Sequence, residues 1–339
     1  MIKERRPLGT SGLEIPPVTF GAWAVGGWYW GGTDDAEALR AIQRAVDLGA
    51  GAVDTAPMYG FGHSEEVVGR ALRALGGRRR EVLVATKCGL RWDTGEGTFF
   101  FRTKDARGRV VEVYRNLRPA SVRAECEASL RRLGVDEIDL YQLHWPDVST
   151  PLADTAEALS RLLEEGKIRA VGVSNFDRDQ LAQLMRHMPV ASLQPRYHLL
   201  DRAIEETLLP FCQEAKVAVL VYSPLAQGLL AGTVDATRTF PPGDYRANQP
   251  FFAPEYLARL DGPLAELRAC ARRLGATPAQ VAIAWVLGAP GVTSALVGAR
   301  RATQVEENVG ATRITLGQAE RERLGAIFAE VGPPPEPKP

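Results

Sequence analysis

The chain has 339 residues, of which 45% are hydrophobic and 24% charged, with 41 acidic and 41 basic side chains. This charge balance argues against nucleic acid or an anionic membrane surface as main partner, and no apolar run is long enough to span a bilayer. Four cysteines without a CxxC pair and four scattered histidines disfavour disulfides and a metal cluster. We therefore expect a cytoplasmic protein with reduced thiols, no metal, no nucleic-acid partner and no membrane partner.

The first half of the chain alternates short apolar strands with amphipathic helices. Residues 7–17, rich in Gly and Pro, predict a small hairpin before the first strand. Strands are predicted at 18–20, 52–54, 82–87 and 139–144, and helices at 33–48, 64–75, 119–133 and 151–165, with Ser64 and Thr150 as caps. Residues 88–118 interrupt the alternation and predict an insertion with its own hairpin.

The second half repeats the same alternation. Strands are predicted at 168–174, 191–194, 217–222 and 293–298, and helices at 177–188, 203–215, 263–274, 278–288, 301–309 and about 317–330. Residues 225–262 form a second long insertion, rich in Gly, Pro and aromatic residues. We expect one domain over residues 1–331 and a disordered Pro-rich tail over residues 332–339.

Eight short strands, each followed by a helix, predict a (β/α)₈ TIM barrel. The barrel would carry an N-terminal hairpin cap, long loops after strands 3 and 7, and an extra C-terminal helix. An open doubly wound sheet is the alternative. It is disfavoured because no GxGxxG follows the first strand and because polar candidates stand at the strand ends, which form a ring only in a barrel.

Three neighbouring strands end in residues that can carry chemistry. Asp54, Lys87 and His144 stand at the ends of strands 2, 3 and 4, and Tyr59 follows Asp54 within a Gly-flanked loop. A barrel enzyme places its site at this end of the strands. Any one of these residues alone would be read as a structural ion pair or rim residue, but the four together favour catalysis.

The chain resembles the aldo-keto reductases, the nicotinamide-dependent barrel enzymes, over residues 7–311. The resemblance rests on Gly51-Ala52-Val53-Asp54-Thr55-Ala56-Pro57-Met58-Tyr59-Gly60, Leu130-Arg131-Arg132-Leu133-Gly134-Val135-Asp136, Asp139-Leu140-Tyr141-Gln142-Leu143-His144, Gly166-Lys167-Ile168-Arg169-Ala170-Val171-Gly172-Val173-Ser174-Asn175-Phe176, Tyr222-Ser223-Pro224-Leu225 and Glu306-Glu307-Asn308. It implies that Asp54, Tyr59, Lys87 and His144 are the family's catalytic tetrad. The 225–262 insertion and Gly298-Ala299-Arg300 are similar to the branch with bacterial stress reductases and potassium-channel β subunits.

Elementary chemistry agrees with those implied roles. A carbonyl that accepts hydride at carbon needs a proton at oxygen, and Tyr59 can supply it, although a free phenol has a pKa of ~10. A charged Lys87 would lower that value, Asp54 would fix Lys87, and His144 would orient the substrate oxygen. A lysine kept charged by a carboxylate is a poor Schiff-base nucleophile, which argues against an aldolase or a cofactor-free lyase.

The resemblance also implies a cofactor site for NADP(H) at the strand ends. Ser174, Asn175 and Gln194 would hold the nicotinamide amide, Tyr222 would stack on its ring, and Arg300 would bind the 2′-phosphate. The full implied set is Gly21, Trp23, Asp54, Ser174, Asn175, Gln194, Tyr222, Ser223, Pro224, Leu225, Gln227, Gly228, Leu229, Gly298, Arg300, Gln304, Glu307 and Asn308. Gly298 stands where the better-known branch has a lysine, so NAD stays open as the alternative.

The prediction from sequence is therefore an NADP-dependent reductase of aldehydes or ketones. Trp23, Trp28, Tyr59 and Trp145 would line the substrate pocket. The alternative function is a cofactor-binding regulatory protein, similar to a channel β subunit, with vestigial turnover. The physiological substrate, the direction of the reaction and the oligomeric state are left open by the sequence.

Overall fold

The computed structural model describes residues 1–105, 107–232, 234, 238–240 and 243–334. Eight parallel strands close into a barrel in chain order, with the last strand paired to the first. The strands are β1 (Val18–Gly21), β2 (Ala52–Asp54), β3 (Leu83–Cys88), β4 (Ile138–Leu143), β5 (Ile168–Ser174), β6 (Ser192–Gln194), β7 (Ala218–Tyr222) and β8 (Val292–Gly298). The predicted (β/α)₈ barrel is confirmed.

Helices surround the barrel and cover the outer face of its strands. They are α1 (Asp35–Asp47), α2 (His63–Ala74), α3 (Pro119–Leu133), α4 (Leu152–Glu164), α5 (Arg178–Met185), α6 (Leu208–Glu214), α7 (Pro254–Arg273), α8 (Pro278–Leu287), α9 (Ala302–Gly310) and α10 (Gln318–Ala329). Local sequence sets several starts, since Asp177 and Gln180 form a capping box at α5 and proline opens α3, α7 and α8.

A short hairpin closes the end of the barrel opposite the candidate site. Arg6–Pro7 pairs with Glu14–Ile15, and the buried side chains of Leu8 and Ile15 pack inside the barrel against small strand residues such as Ala52 and Ala85. Gly9 has a φ of 58°, and a Cβ there would lie 2.3 Å from the Ala191 carbonyl oxygen, so glycine permits this close approach.

Two long segments decorate the other end, as the sequence predicts. After β3 the chain forms an antiparallel sheet of Leu90–Arg91, Thr98–Lys104 and Val110–Arg115. After β7 the described residues include short 3₁₀ turns at Ala226–Ala231, Tyr245–Asn248 and Pro250–Phe252. Both segments therefore lie at the carboxyl ends of the strands, around the predicted site.

Four predicted element boundaries are wrong for identifiable reasons. Helix α7 begins at Pro254 and not at 263, because its leucine stripe continues through Pro263. Thr150 does not cap α4, since its hydroxyl donates to Asp147 at 2.8 Å, and Ser64 does not cap α2, since it donates to the Ala22 carbonyl at 2.8 Å. The predicted 203–215 helix is a 3₁₀ turn followed by the shorter α6.

The C-terminal end of the chain is described only to residue 334. The Tyr256 hydroxyl donates to the Gly332 carbonyl at 3.2 Å, which holds the start of the predicted tail against α7. Residues 335–339 of that prediction lie outside the described residues. No helix in the described part of the chain is both long and apolar enough to cross a membrane.

Candidate active site

A buried ion pair forms the floor of the site. The Lys87 ammonium, fully buried at the end of β3, donates to the Asp54 carboxylate at 2.6 Å and to the Thr55 carbonyl at 2.9 Å. It also lies 3.2 Å from the Tyr59 hydroxyl and 4.9 Å from the centre of that ring. Neighbouring parallel strands in register bring Asp54 and Lys87 together, as the strand-end argument predicts.

The second oxygen of Asp54 is held by two amides. Gln142 and Gln194 both donate to it, at 3.1 and 2.8 Å, and Gln194 also donates to the Gln142 side-chain oxygen at 3.1 Å. Sequence reasoning missed Gln142. The available signal was its position two residues before His144, since alternate strand residues face the same side of a sheet. Asp54 is therefore fixed on both oxygens.

Burial and charge set the protonation states of the cluster. Burial raises the pKa of Tyr59 above 10, and the nearby Lys87 charge offsets that effect only in part. Burial also opposes the charge on Lys87, but Asp54 together with Tyr59 outweighs it, so the pKa of Lys87 lies above 10.5. Lys87 is thus a cation and Tyr59 a protonated donor at neutral pH. The sequence-based expectation of a lowered phenol pKa is not met in this structure.

His144 lies beside Tyr59 in the neutral form. The two rings are 5.8 Å apart and nearly perpendicular. Burial, reinforced by the positive charge of Lys87, holds the pKa of His144 well below 6.5. A neutral imidazole next to the phenol can hydrogen-bond one oxygen atom of a ligand without competing for the proton.

A cavity of about 410 Å³ opens above this floor. Most of the residues that the sequence analysis assigns to the site line it, together with seven that it did not assign. The assigned residues are Gly21, Trp23, Asp54, Tyr59, His144, Trp145, Ser174, Asn175, Gln194, Tyr222, Ser223, Pro224, Leu225, Gln227, Gly228, Gly298, Arg300, Gln304, Glu307 and Asn308. The additional ones are Ala24, Trp30, Ala231, Ala279, Leu296, Val297 and Ala299.

Three assigned residues lie away from the cavity wall. Lys87 is beneath it and reaches it only through Tyr59. Trp28 stacks on Tyr29 at 3.7 Å and packs edge-on against Phe61, on the side of the β3 insertion. Leu229 is fully buried in the hydrophobic core. A loop side chain such as Trp28 can point into the cavity or away from it, and a loop sequence has no periodicity that predicts which.

Amide and hydroxyl groups meet at the ends of β5 and β6. The Asn175 amide donates to the His144 carbonyl and to the Ser174 hydroxyl, both at 3.0 Å, and accepts from the Tyr222 hydroxyl at 2.9 Å. Asn175 has a φ of 60°, which turns its side chain back over the strand ends. This donor and acceptor set fits a carboxamide, and the Tyr222 ring beside it fits a flat heterocycle.

The chain after β7 runs through an unusual series of left-handed residues. Ser223, Ala226 and Gln227 have φ values of 55°, 46° and 59°, and Gly228 follows at 96°. The Arg246 guanidinium donates to the Gln227 carbonyl at 3.1 Å and so fixes this turn. Strained backbone of this kind often marks a ligand site, and its close packing against the cavity fits an extended phosphate-bearing ligand.

Four aromatic rings join the loop after β1 to the segment after β7. Trp23, Tyr29, Trp30 and Tyr245, here called the aromatic latch, have ring centres 5.2 to 6.1 Å apart where they contact. The Tyr245 amide donates to the Tyr29 carbonyl at 3.1 Å. Tyr245 was missed from sequence because it belongs to an insertion without periodicity. Two of the four latch rings, Trp23 and Trp30, line the cavity.

A close backbone contact sets Tyr59 beside the latch. A Cβ on Gly26 would lie 2.6 Å from the Tyr59 carbonyl, and one on Gly60 would lie 2.2 Å from the Gly26 oxygen. Only glycine at both positions lets these loops touch. As a result the Trp23 and Tyr59 ring centres are 6.2 Å apart.

Arg300 stands at the far end of the cavity, where β8 gives way to α9. Its guanidinium donates to the Trp30 carbonyl at 3.3 Å, and its backbone amide donates to the Gln304 side chain at 2.9 Å. Burial, with the charge of Arg246, lowers the pKa of Arg300 from 12.5, which still leaves it charged. Arg301, the adjacent residue, is exposed.

Comparisons with known proteins agree with this geometry. The family model described as "Aldo/keto reductase family" matches residues 17–328. The NADH-specific methylglyoxal reductase of Escherichia coli is 40% identical over 319 residues, covering 93% of this chain and 95% of that protein. The aldo-keto reductase YhdN of Bacillus subtilis is 38% identical over 330 residues, with 96% and 93% covered.

Solved structures of similar proteins share the barrel. A glycerol dehydrogenase from Gluconobacter oxydans superposes with a TM-score of 0.85 at 40% identity, covering 98% of this chain and 96% of that one. An aldo-keto reductase from Bacillus halodurans, in its holo form, gives a TM-score of 0.75 at 29% identity, with 96% of each chain covered.

Proposed function

Since the chain belongs to the aldo/keto reductase family, we propose that it reduces small aldehydes or ketones with a nicotinamide cofactor, Tyr59 acting as the general acid. The observation that carries this proposal is the Asp54–Lys87–Tyr59 cluster with neutral His144 at the floor of one cavity. The relatives named for methylglyoxal and glycerol support small substrates of this class. The four free cysteines support a cytoplasmic setting.

In the proposed reaction the chain's residues position the carbonyl oxygen and protonate it. The neutral His144 ring hydrogen-bonds that oxygen and keeps it near the Tyr59 hydroxyl. Tyr59 donates its proton as charge develops on the oxygen, and the Lys87 ammonium 3.2 Å away stabilises the resulting phenolate. Asp54 balances the lysine charge, so the pair is not left as an isolated buried cation.

The cofactor, when bound, supplies the hydride. Asn175, Ser174 and Gln194 offer the hydrogen bonds that would hold its carboxamide, and Tyr222 offers a ring face at the same place. Lys87 is fully buried beneath the cavity, and this low-dielectric environment strengthens its interaction with Tyr59.

We further propose NADP(H) as the cofactor, with Arg300 as the contact for the 2′-phosphate. The α9 N-terminus and the exposed Arg301 add positive potential at the same turn. NADH is the competing cofactor, because the E. coli relative is named as NADH-specific. Measuring the Kd of NADPH and NADH for the wild-type chain compares the two directly.

The decisive test of the reductase proposal is Tyr59→Phe. This substitution keeps the ring and removes the proton donor, so kcat for aldehyde reduction should fall by at least ~10²-fold, while the cofactor Kd changes little. Tyr114→Phe, on the β3 insertion outside the cavity, is the matched control and should retain wild-type turnover. Wild-type turnover in Tyr59→Phe would exclude Tyr59 as the acid. Cofactor binding without any turnover in the wild type would favour a regulatory, channel-β-subunit-like role instead.

A further inference from the structure

Glu125 is a buried carboxylate that the proposed reaction does not use. It lies on α3, 6% exposed, and no Lys or Arg in the described part of the chain approaches it within ion-pair distance. Both of its oxygens accept the backbone amide of Gly89, at 3.1 and 3.0 Å, and the Ser121 hydroxyl donates to it at 3.1 Å. A carboxylate buried with so little compensation is costly and calls for a role.

Gly89 is the turn at which β3 leaves the barrel. Its φ is 94°, and a Cβ would lie 2.4 Å from Leu117 Cδ2, so the position is tightly confined. The residue before it, Cys88, accepts the backbone amide of His144 at 2.9 Å, which makes the last rung between β3 and β4. Lys87 comes immediately before Cys88. The Gly89 amide therefore connects Glu125 to both Lys87 and His144 within two residues.

We propose that Glu125, as a carboxylate, is a positioning residue that clamps the Gly89 turn and thereby holds Lys87 and His144 in their reactive placement. This inference rests on the proposed reductase function. Two hydrogen bonds depend on this placement: the Lys87 ammonium lies 3.2 Å from the Tyr59 hydroxyl and 2.6 Å from the Asp54 carboxylate. A shift of a few tenths of an ångström at the end of β3 acts directly on both.

The clamp responds to pH because of the groups that face Glu125. Burial raises its pKa from 4.5 to about 7, opposed by Arg91, the Gly89 amide and Ser121 and aided by Asp93. Arg91 reaches it through Ser121, at 2.8 Å, while its own carboxylate partner is Asp93. Cys88, Cys126 and Tyr141 pack on the remaining side, and burial raises the pKa of each of them, so they stay neutral. Protonation of Glu125 below about pH 7 removes the charge that attracts the Gly89 amide.

The test is Glu125→Gln, which keeps the shape and removes the charge. Single-turnover hydride transfer, followed with deuterated cofactor, should be at least about threefold slower than wild type at pH 8, as expected for a small misplacement of catalytic groups. The hydride-transfer rate of the wild type should fall as the pH decreases through about 7, whereas the rate of the variant should not change over this pH range. The cofactor Kd should be unchanged in both.

Thermal stability distinguishes the clamp from a merely structural role. The folded state binds the Glu125 proton more tightly than the unfolded state, so its ionisation lowers stability as pH rises from about 4.5 to about 7. The Tm of Glu125→Gln relative to wild type should therefore increase between about pH 5 and pH 8, although the variant is slower at pH 8. Glu127→Gln is the matched control, since Glu127 lies on the same helix and its carboxylate accepts a hydrogen bond from Lys167. This variant should keep the wild-type rate and the wild-type pH profile.

Each outcome decides between named alternatives. A Glu125→Gln variant whose hydride-transfer rate equals that of the wild type and falls in the same way below about pH 7 would overturn the clamp while leaving the reductase proposal intact. A variant that loses rate, cofactor affinity and Tm together at pH 8 would show general damage to the fold, which also overturns it. A wild-type chain that reduces no aldehyde would overturn both proposals.

Discussion

Tyr59 is the general acid of the proposed reaction, and its environment keeps the proton in place. Because burial raises the pKa of Tyr59 above 10, the acid form persists across the neutral and weakly alkaline range. We expect kcat/KM for aldehyde reduction to stay flat on the alkaline side up to about pH 10, since an acid must be protonated to donate. An alkaline limb between about pH 7 and 9 would mean that Lys87 lowers the phenol pKa more than burial raises it.

Arg300 is the single residue that we propose determines the choice between NADPH and NADH. Loss of one charge-assisted contact costs roughly 1.5–3 kcal/mol, so Arg300→Ala should weaken NADPH binding by about one to two orders of magnitude while NADH is nearly unaffected. Arg301→Ala, at the adjacent exposed position, removes only the added positive potential and should weaken NADPH binding less than Arg300→Ala does. Equal weakening of both cofactors would place the effect on the Trp30 carbonyl contact and the latch instead of a 2′-phosphate.

A single site residue can be predicted from the sequence where the end of a strand fixes the place of its side chain. Asp54, Lys87 and His144 were predicted together because parallel strands end at one edge, and the structure brings them to one cavity floor. Gln142 was missed although it obeys the same alternation, since a lone glutamine within an apolar strand has no distinctive chemistry. Trp28 was assigned to the pocket on composition alone, and its ring turns toward Phe61.

The latch is the element whose motion should control the cofactor. It joins two loops through ring contacts and the Tyr245–Tyr29 hydrogen bond. We expect amide exchange in residues 23–32 and 243–253 to slow on NADPH binding, because closure over the cofactor buries these amides. Helix α4, on the outside of the barrel, serves as internal control. Unchanged exchange in both loops would argue against a closing lid.

Element boundaries were predictable where sequence signals agreed and failed where they conflicted. Pro254 at the first turn and the stripe of Leu257, Leu260, Leu264 and Leu267 specify one long α7. Gly262-Pro263 gave the opposite signal, because proline cannot donate to the preceding turn. Burial of the stripe outweighed that local loss, so the helix continues through the proline.

The N-terminal hairpin, which packs inside the barrel, and the reactive residues lie at opposite ends of the molecule. Leu8 packs inside the barrel at the hairpin end, which is opposite the end that carries Tyr59. Leu8→Ala should lower the free energy of unfolding by about 2–5 kcal/mol through loss of buried surface and a residual cavity, with KM unchanged. Leu13→Ala, at a partly buried position of the same hairpin, should cost less. Chemical denaturation with parallel assays checks both, and a KM change in Leu8→Ala would show that the two ends are coupled.

At this scale the sequence was most informative, because eight repeats of one strand–helix unit leave few ways to bury every apolar strand. The arrangement of the two insertions was not predictable, since their contacts are with the loop after β1 and with other residues of the rim. Trp23, Trp30 and Trp145, which give the cavity its walls, owe their placement to those contacts.

Those three indoles, half of the six tryptophans in the chain, also make the protein its own optical probe. Indole emission overlaps the absorption band of a reduced nicotinamide but not that of the oxidised form. Excitation energy should therefore pass to a reduced cofactor bound in the cavity, and the emission should recover as the ring is oxidised. Occupancy and turnover could then be followed by light alone, without a label attached to the chain.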